Sequence, residues 1–210
     1  MPQPSTPYSA GPLVAAFPAH VADDARAVLA VLPPASSPVH GWFEVTVEQE
    51  TLTLPTRMYH PEPDQEAVAA LTDGQRLILH CLYSRHHDGY VRQRHLEHFA
   101  RSDEPSVVPF VIQLGGEYVV EIIESTLRAL PGLMEPGSAE RMRYGAFLAA
   151  NPAFFTLTER RAVSYWSAYY RRYPPRYREF ATYPGGQLIT ALRAAAEETT
   201  GIRWRRHSPA

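Results

Sequence analysis

Between Gln75 and Leu130 the apolar positions repeat with an offset of 28 residues. Leu79, Leu82, Val91 and Phe99 are matched by Val107, Phe110, Val119 and Leu127, and Tyr90-Val91 by Tyr118-Val119. Each copy reads as two short amphipathic helices with a tight break between them, the pattern of stacked helix pairs that bury a shared core. Thr72 with Gln75 has the form of a capping box, so a helix is predicted from there to about Arg85. His86-His87-Asp88-Gly89 makes the first break, Tyr90–Ala100 the second helix, and Gly115-Gly116 either the next break or a kink in one longer helix. Pro105 suits the first turn of a third helix, and Val119–Leu130 forms a fourth, closed by Pro131-Gly132.

The flanks carry other periods. Val21, Ala25, Val28, Leu29 and Leu32 share one helical face, and Pro33-Pro34 stops that helix. From Trp42 the period drops to two: Phe43, Val45 and Val47 alternate with polar neighbours, as do Leu52 and Leu54, with Glu48-Gln49-Glu50 between. This predicts a β-hairpin within residues 42–59 that buries one face. A lone hairpin is marginal in water, so it must dock on the helices. A third helix pair is expected from Ala139–Ala150 and Leu157–Tyr173. The second of these starts at a capping box from Thr156 to Glu159 and carries Ala162, Trp166, Tyr169 and Tyr173 on one stripe. Leu188–Thr200 is a final helix with Gly201 as its stop. The expected organisation is a Pro/Ser/Ala-rich disordered segment at 1–18, one mostly α domain at 19–200 made of stacked antiparallel helix hairpins plus the β-hairpin, and a basic tail at 201–210.

The segment from Asp88 to Phe99 resembles the second helix of a HEAT-like repeat: an acidic turn, then Val91-Arg92, then Leu96 and Phe99 one and two turns later. Ser106–Leu114 is similar to the first helix of the next repeat. The second copy departs from that pattern, with Val119-Val120 in place of Val-Arg. The resemblance implies a protein-binding or scaffold role.

Composition narrows the chemistry. Of 210 residues 45% are hydrophobic, enough for a real core, and no apolar run approaches a membrane span. Residues 1–12 lack both the charged region and the apolar run of a secretory signal. The single cysteine, Cys81, sits in an apolar helix as a packing residue and fits a reducing cytosol. All 20 basic residues are arginine, which excludes a Schiff-base or phosphate-loop lysine. With many Ala and Pro, that bias suggests a GC-rich bacterial genome. A cytoplasmic location follows as the expectation.

The net charge of −2 hides an asymmetry: residues 1–138 balance to −9 and residues 139–210 to +7. Opposed halves suit internal pairing or an anionic partner. Arg160, Arg161, Arg171, Arg172, Arg176 and Arg178 interleave with Tyr165, Trp166, Tyr169, Tyr170, Tyr173 and Tyr177. Arginine offers a planar fork to carboxylate or phosphate, and aromatics offer stacking platforms or protein hot spots. The blander reading is an aromatic core stripe whose arginines are neutralised by the acidic half, and that neutralisation is expected.

Arg85-His86-His87-Asp88 is a second candidate surface. His86, His87, His95 and His98 are the side chains that would ligate a metal, yet no zinc-site spacing accompanies them, and no stoichiometric metal and no cofactor are expected. Glu117, Glu121 and Glu124 read as one solvated or ion-paired helix face, with Arg92 and Arg94 as partners. No nucleophile elbow, dinucleotide fingerprint or phosphate loop occurs. The leading expectation is therefore a non-enzymatic protein-interaction module, with Arg160, Arg161, Tyr165, Tyr169, Tyr170, Arg171, Arg172 and Arg176, together with Arg85–Asp88, as its partner-binding residues. The alternatives are a nucleic-acid or polyanion binder using the C-terminal region and a metal-dependent enzyme using the histidines.

Overall fold

The computed structural model describes residues 11–209. The chain is mostly α, with one antiparallel two-stranded hairpin near its N-terminal end. Helix α1 spans Ala22–Val31, strands β1 and β2 span Trp42–Val47 and Glu50–Pro55, and α2 is the short Gln65–Ala69. The central helices are α3 (Asp73–Tyr83), α4 (Gly89–Phe99), α5 (Val108–Leu114) and α6 (Val120–Ala129). The C-terminal part holds α7 (Ala139–Ala150), α8 (Pro152–Tyr165) and α9 (Pro184–Thr200). No helix among the described residues is long and apolar enough to cross a membrane.

Local chemistry accounts for most boundaries. Thr72 accepts from the Gln75 amide while the Gln75 side chain accepts from the Thr72 amide, so both arms of the capping box form at the start of α3. Asp88 caps α4 by accepting from the Tyr90 amide at 2.8 Å. Gly201 closes α9 in the left-handed region at φ 67°. In the hairpin Val45 pairs with Leu52 and Val47 with Glu50, around a turn at Glu48 and Gln49, both at positive φ. Val45, Val47, Leu52 and Leu54 are buried, and Phe43 stacks on Phe154 of α8 with centroids 5.5 Å apart. Asn151 clasps the strand from outside: its amide oxygen accepts from Thr46 N–H and its amide nitrogen donates to Thr46 C=O, both at 2.7 Å. The hairpin is thus docked and covers the helical core.

The interior is built from Leu79, Leu82, Leu96, Phe99, Phe110, Leu114, Ile122, Ile123, Leu148, Leu188 and Leu192, all buried. Helices α7 and α9 cross so closely that a Cβ on Gly145 would collide with the carbonyl oxygen of Ala195. Glycine is needed there for backbone approach and not for an unusual φ.

Two expectations need correction. Residues 11–18 are not disordered: Gly11–Ala16 is a 3-10 turn, and Leu13, Ala16 and Phe17 are buried, with Phe17 stacked on Phe110 at 5.4 Å. Residues 1–10 of the proposed disordered segment lie outside the described residues. Thr156 does not start a helix, because α8 is already helical from Pro152 and the Thr156 hydroxyl donates back to the Pro152 carbonyl. The basic tail packs back on α8. Trp204 packs edge-on against Phe155 at 5.6 Å, and the His207 amide donates to Glu159 at 3.0 Å.

Candidate functional site

Helix α8 does not end in a regular turn. Residues Trp166–Tyr170 form a π turn, with the Arg171 amide donating to the Trp166 carbonyl at 2.8 Å. A wider turn rotates everything after it. The expected stripe therefore breaks: Ala162 and Trp166 are buried, but Tyr169 and Tyr173 swing out to 62% and 77% exposure, and Tyr170 turns inward in their place. Tyr170 then stacks on Tyr183 at 5.2 Å and donates its hydroxyl to the Tyr118 carbonyl at 2.6 Å. Trp166 donates to the Tyr177 carbonyl at 2.7 Å, and Tyr177 donates to Glu124 at 2.6 Å. Burial, and then the neighbouring Glu124 carboxylate, holds the Tyr177 phenol above its usual range, so it stays a donor. These inner rings anchor the segment.

An outer layer of tyrosines faces solvent. Tyr118, Tyr165 and Tyr169 cluster with centroids 6.0 to 6.4 Å apart. Around them Arg160, Arg171, Arg172, Arg176 and Arg178 are exposed, and Arg161 is half-buried. Arg171 lies over the Trp166 ring at 5.5 Å and Arg176 over Tyr177 at 4.7 Å, so each guanidinium rests on an aromatic ring. Arg171, Arg172 and Arg178 surround a recess of about 770 Å³ together with Ser167, Pro175 and Glu179.

The expected neutralisation does not occur. Among the described residues, none of these six arginines forms an ion pair with a carboxylate, nor do Arg203, Arg205 and Arg206 of the tail. Among the described residues, Arg141, Arg143 and Arg193 are the paired ones of the twelve arginines after residue 138, with Glu198, Asp103 and Glu159. The acidic half spends several carboxylates locally: Asp23 on Arg26, Asp73 on Arg76, and Glu62 on Arg94.

The second candidate surface divides. Arg85 and His86 are buried and unavailable to a partner; only His87 and Asp88 are exposed. Arg85 donates to the carbonyls of Pro55, Thr56 and Ser84, tying the end of β2 to the turn after α3. Its guanidinium faces Glu117 at 3.5 Å; Arg92 reaches the same carboxylate at 3.3 Å and Arg57 at 2.6 Å. Glu117 is only 3% exposed, so it is neither solvated nor on one face with Glu121 and Glu124. It sits in the loop before α6 as the hub of three arginines. Burial works against its charge, but Arg85, Arg57 and Arg92 together hold its carboxyl below the ordinary range. The expected pairing with Arg92 forms, whereas Arg94 goes to Glu62; Arg57 and Arg85, 60 and 32 residues away, carry no local signal that they join the hub.

The proposed metal set divides as well. His86 and His87 contact each other, and His87 stacks on Tyr59 at 5.0 Å, whereas His95 and His98 gather with His80. Among the described residues no group of three or more His, Cys, Asp or Glu side chains is arranged to hold a metal ion. Compared with family models, with curated proteins and with solved structures, the chain matches none.

Proposed function

We propose that this protein is a non-enzymatic interaction module whose working surface is the arginine–tyrosine face of residues 160–178, and that its partner is an acidic segment of another protein. The observation that carries this reading is the set of exposed arginines without carboxylate partners, seated on aromatic rings beside solvent-facing tyrosines. Arginine and tyrosine are the side chains that dominate protein hot spots. Two of these guanidiniums are held in place by rings, so less order is lost on binding. Glu179 in the recess and Glu124 beside Tyr177 interrupt the positive field. A mixed surface of that kind suits a protein partner better than a continuous phosphate backbone. The HEAT-like resemblance of residues 88–114 points the same way, and the bacterial cytosol is the proposed setting.

Nucleic acid is the second reading, favoured by the nine unpaired arginines of the C-terminal part. Fluorescence anisotropy with a labelled acidic peptide and a labelled single-stranded oligonucleotide, each titrated at 50 and 200 mM salt, separates the two. The peptide is expected to bind and the oligonucleotide to bind weakly at the higher salt. Arg171→Ala with Arg172→Ala is expected to weaken the peptide by about tenfold or more with no change in melting temperature. A sub-micromolar oligonucleotide complex at 200 mM salt, lost in that variant, would reverse the ranking, since phosphate contacts are the strongly salt-dependent ones.

A further inference from the structure

The histidines of α3 and α4 meet beside Tyr83, whose ring stacks on His95 with centroids 4.9 Å apart. His80 Nδ1 and His95 Nδ1 are 2.9 Å apart, His95 Nε2 is 2.8 Å from Glu62 Oε1, and His98 stacks on His80 with centroids 4.4 Å apart. They line a cavity of about 420 Å³ whose other walls include Pro63, Val68, Leu79 and Arg76. The volume and the mixture of apolar wall and few polar groups are those of a small-molecule site.

The hydrogen-bond chain fixes the protons. Glu62 is a carboxylate, held below its ordinary range against the effect of burial by His95 and Arg94, so it accepts and His95 Nε2 carries a hydrogen. Neutral His95 then has a bare Nδ1. His80 must donate to it from its own Nδ1–H, which leaves His80 Nε2 as a bare lone pair. The charged or titratable groups facing this pair are Glu62 ahead of α2, Arg76 and Tyr83 on α3, and Arg94 and His98 on α4; burial and then Glu62 raise the Tyr83 phenol, so it stays neutral. Burial first, and then His95, His98 and Arg76, push His80 down to about 4, so the pair is neutral at neutral pH. The carboxylate of Glu62 is already shared between Arg94 and His95.

We propose that this cavity binds a small monocarboxylic acid with an apolar body, and that binding takes up one proton at His80 Nε2. The ligand carboxylate supplies the counter-charge that His80 lacks. The proton comes from solvent, and the new positive charge is shared through His80 Nδ1–H to His95 and on to Glu62, with no covalent bond made or broken. Arg76, itself paired with Asp73, also lines the cavity, and Val68 and Leu79 cover the hydrocarbon part.

The test is calorimetric titration of the full chain with benzoate, with octanoate and with inorganic phosphate, in buffers of different ionisation enthalpy. Benzoate or octanoate is expected to bind one per chain, with about one proton taken up, and affinity should fall about tenfold per pH unit between pH 6 and 8. Phosphate, having no apolar body, is expected to bind at least tenfold more weakly. His80→Gln should abolish the pH dependence and weaken binding at least tenfold; Val68→Trp, which fills the cavity from its half-exposed wall, should block binding even if His80→Gln fails to fold. No heat at millimolar carboxylate, a flat pH profile, phosphate binding as tightly as the carboxylates, or binding untouched by Val68→Trp would each overturn the proposal. So would stoichiometric Zn(II) binding that excludes benzoate.

Discussion

Glu117→Gln removes one charge and almost no volume, which makes it the sharpest probe of the interior. In the parent, Glu117 neutralises Arg85 and Arg92, both fully buried, and Arg57, which is largely covered. The glutamine keeps one oxygen for Arg57 but leaves the two buried guanidiniums without a counter-charge. Burial already drags the Arg85 guanidinium down to about 9 despite the pull of Glu117. Breaking a buried pair from one side costs about 3–5 kcal/mol, because the other charge stays desolvated. For a chain of this size each kcal/mol lowers the melting temperature by about 2–4 °C, so a fall of roughly 6–20 °C is expected. The acid limb supplies a second readout. A carboxyl held below its unfolded value stabilises the fold above the ordinary carboxylate range, and that contribution is lost as pH falls through the folded value. The parent should therefore lose stability below about pH 4.5 more steeply than Glu117→Gln, which has no such group to titrate. Circular-dichroism melts from pH 3 to 7 report both effects. A variant melting within 2 °C of the parent, with the same acid limb, would refute the view that Glu117 is the hub.

Other outcomes follow from the packing. Val45→Asp puts an unpaired charge on the buried face of the hairpin and should cost roughly 3–5 kcal/mol, visible as an early urea midpoint. Asn151→Ala frees the Thr46 amide and carbonyl and should cost about 1–3 kcal/mol, with faster amide exchange at Thr46 than in the parent. Gly145→Ala forces α7 away from α9 and should cost about 1–3 kcal/mol by the same urea measurement, whereas Gly74→Ala, with open space around it, should cost far less.

What the sequence disclosed was whatever is written locally. Thr72 and Gln75 are three residues apart, so the start of α3 could be read directly, as could the period-two run of the hairpin and the stops at Gly115-Gly116 and Gly201. Of the apolar positions placed on helix or strand faces, Val28, Leu79, Leu96 and Phe110 are buried, while Leu32 and Phe43 are only partly so. The failures share one cause: they depend on events remote in sequence or invisible to periodicity. A π turn has no residue signature, so the side on which Tyr169 and Tyr170 fall could not be read. Arg85 looked like a surface residue because its partners, Pro55, Thr56 and Glu117, lie 30 residues before and 32 after it. Net charge by halves misled as well, since carboxylates such as Asp23 and Asp73 are consumed by neighbours three residues away. The histidine pair of α3 and α4 was half visible: His95 and His98 stood out, but His80, fifteen residues earlier, did not.

The clasp of Asn151 on Thr46 spans 105 residues. On a ribosome making about 5–20 residues per second, the hairpin would wait on the order of 5–20 s after emerging before its clasp exists. Arg57 and Arg85 likewise wait for Glu117. During synthesis the hairpin therefore emerges well ahead of Asn151, and Arg57 and Arg85 ahead of Glu117; a chain interrupted before residue 117 lacks the counter-ion of those two arginines, and one interrupted before residue 151 lacks the clasp on Thr46.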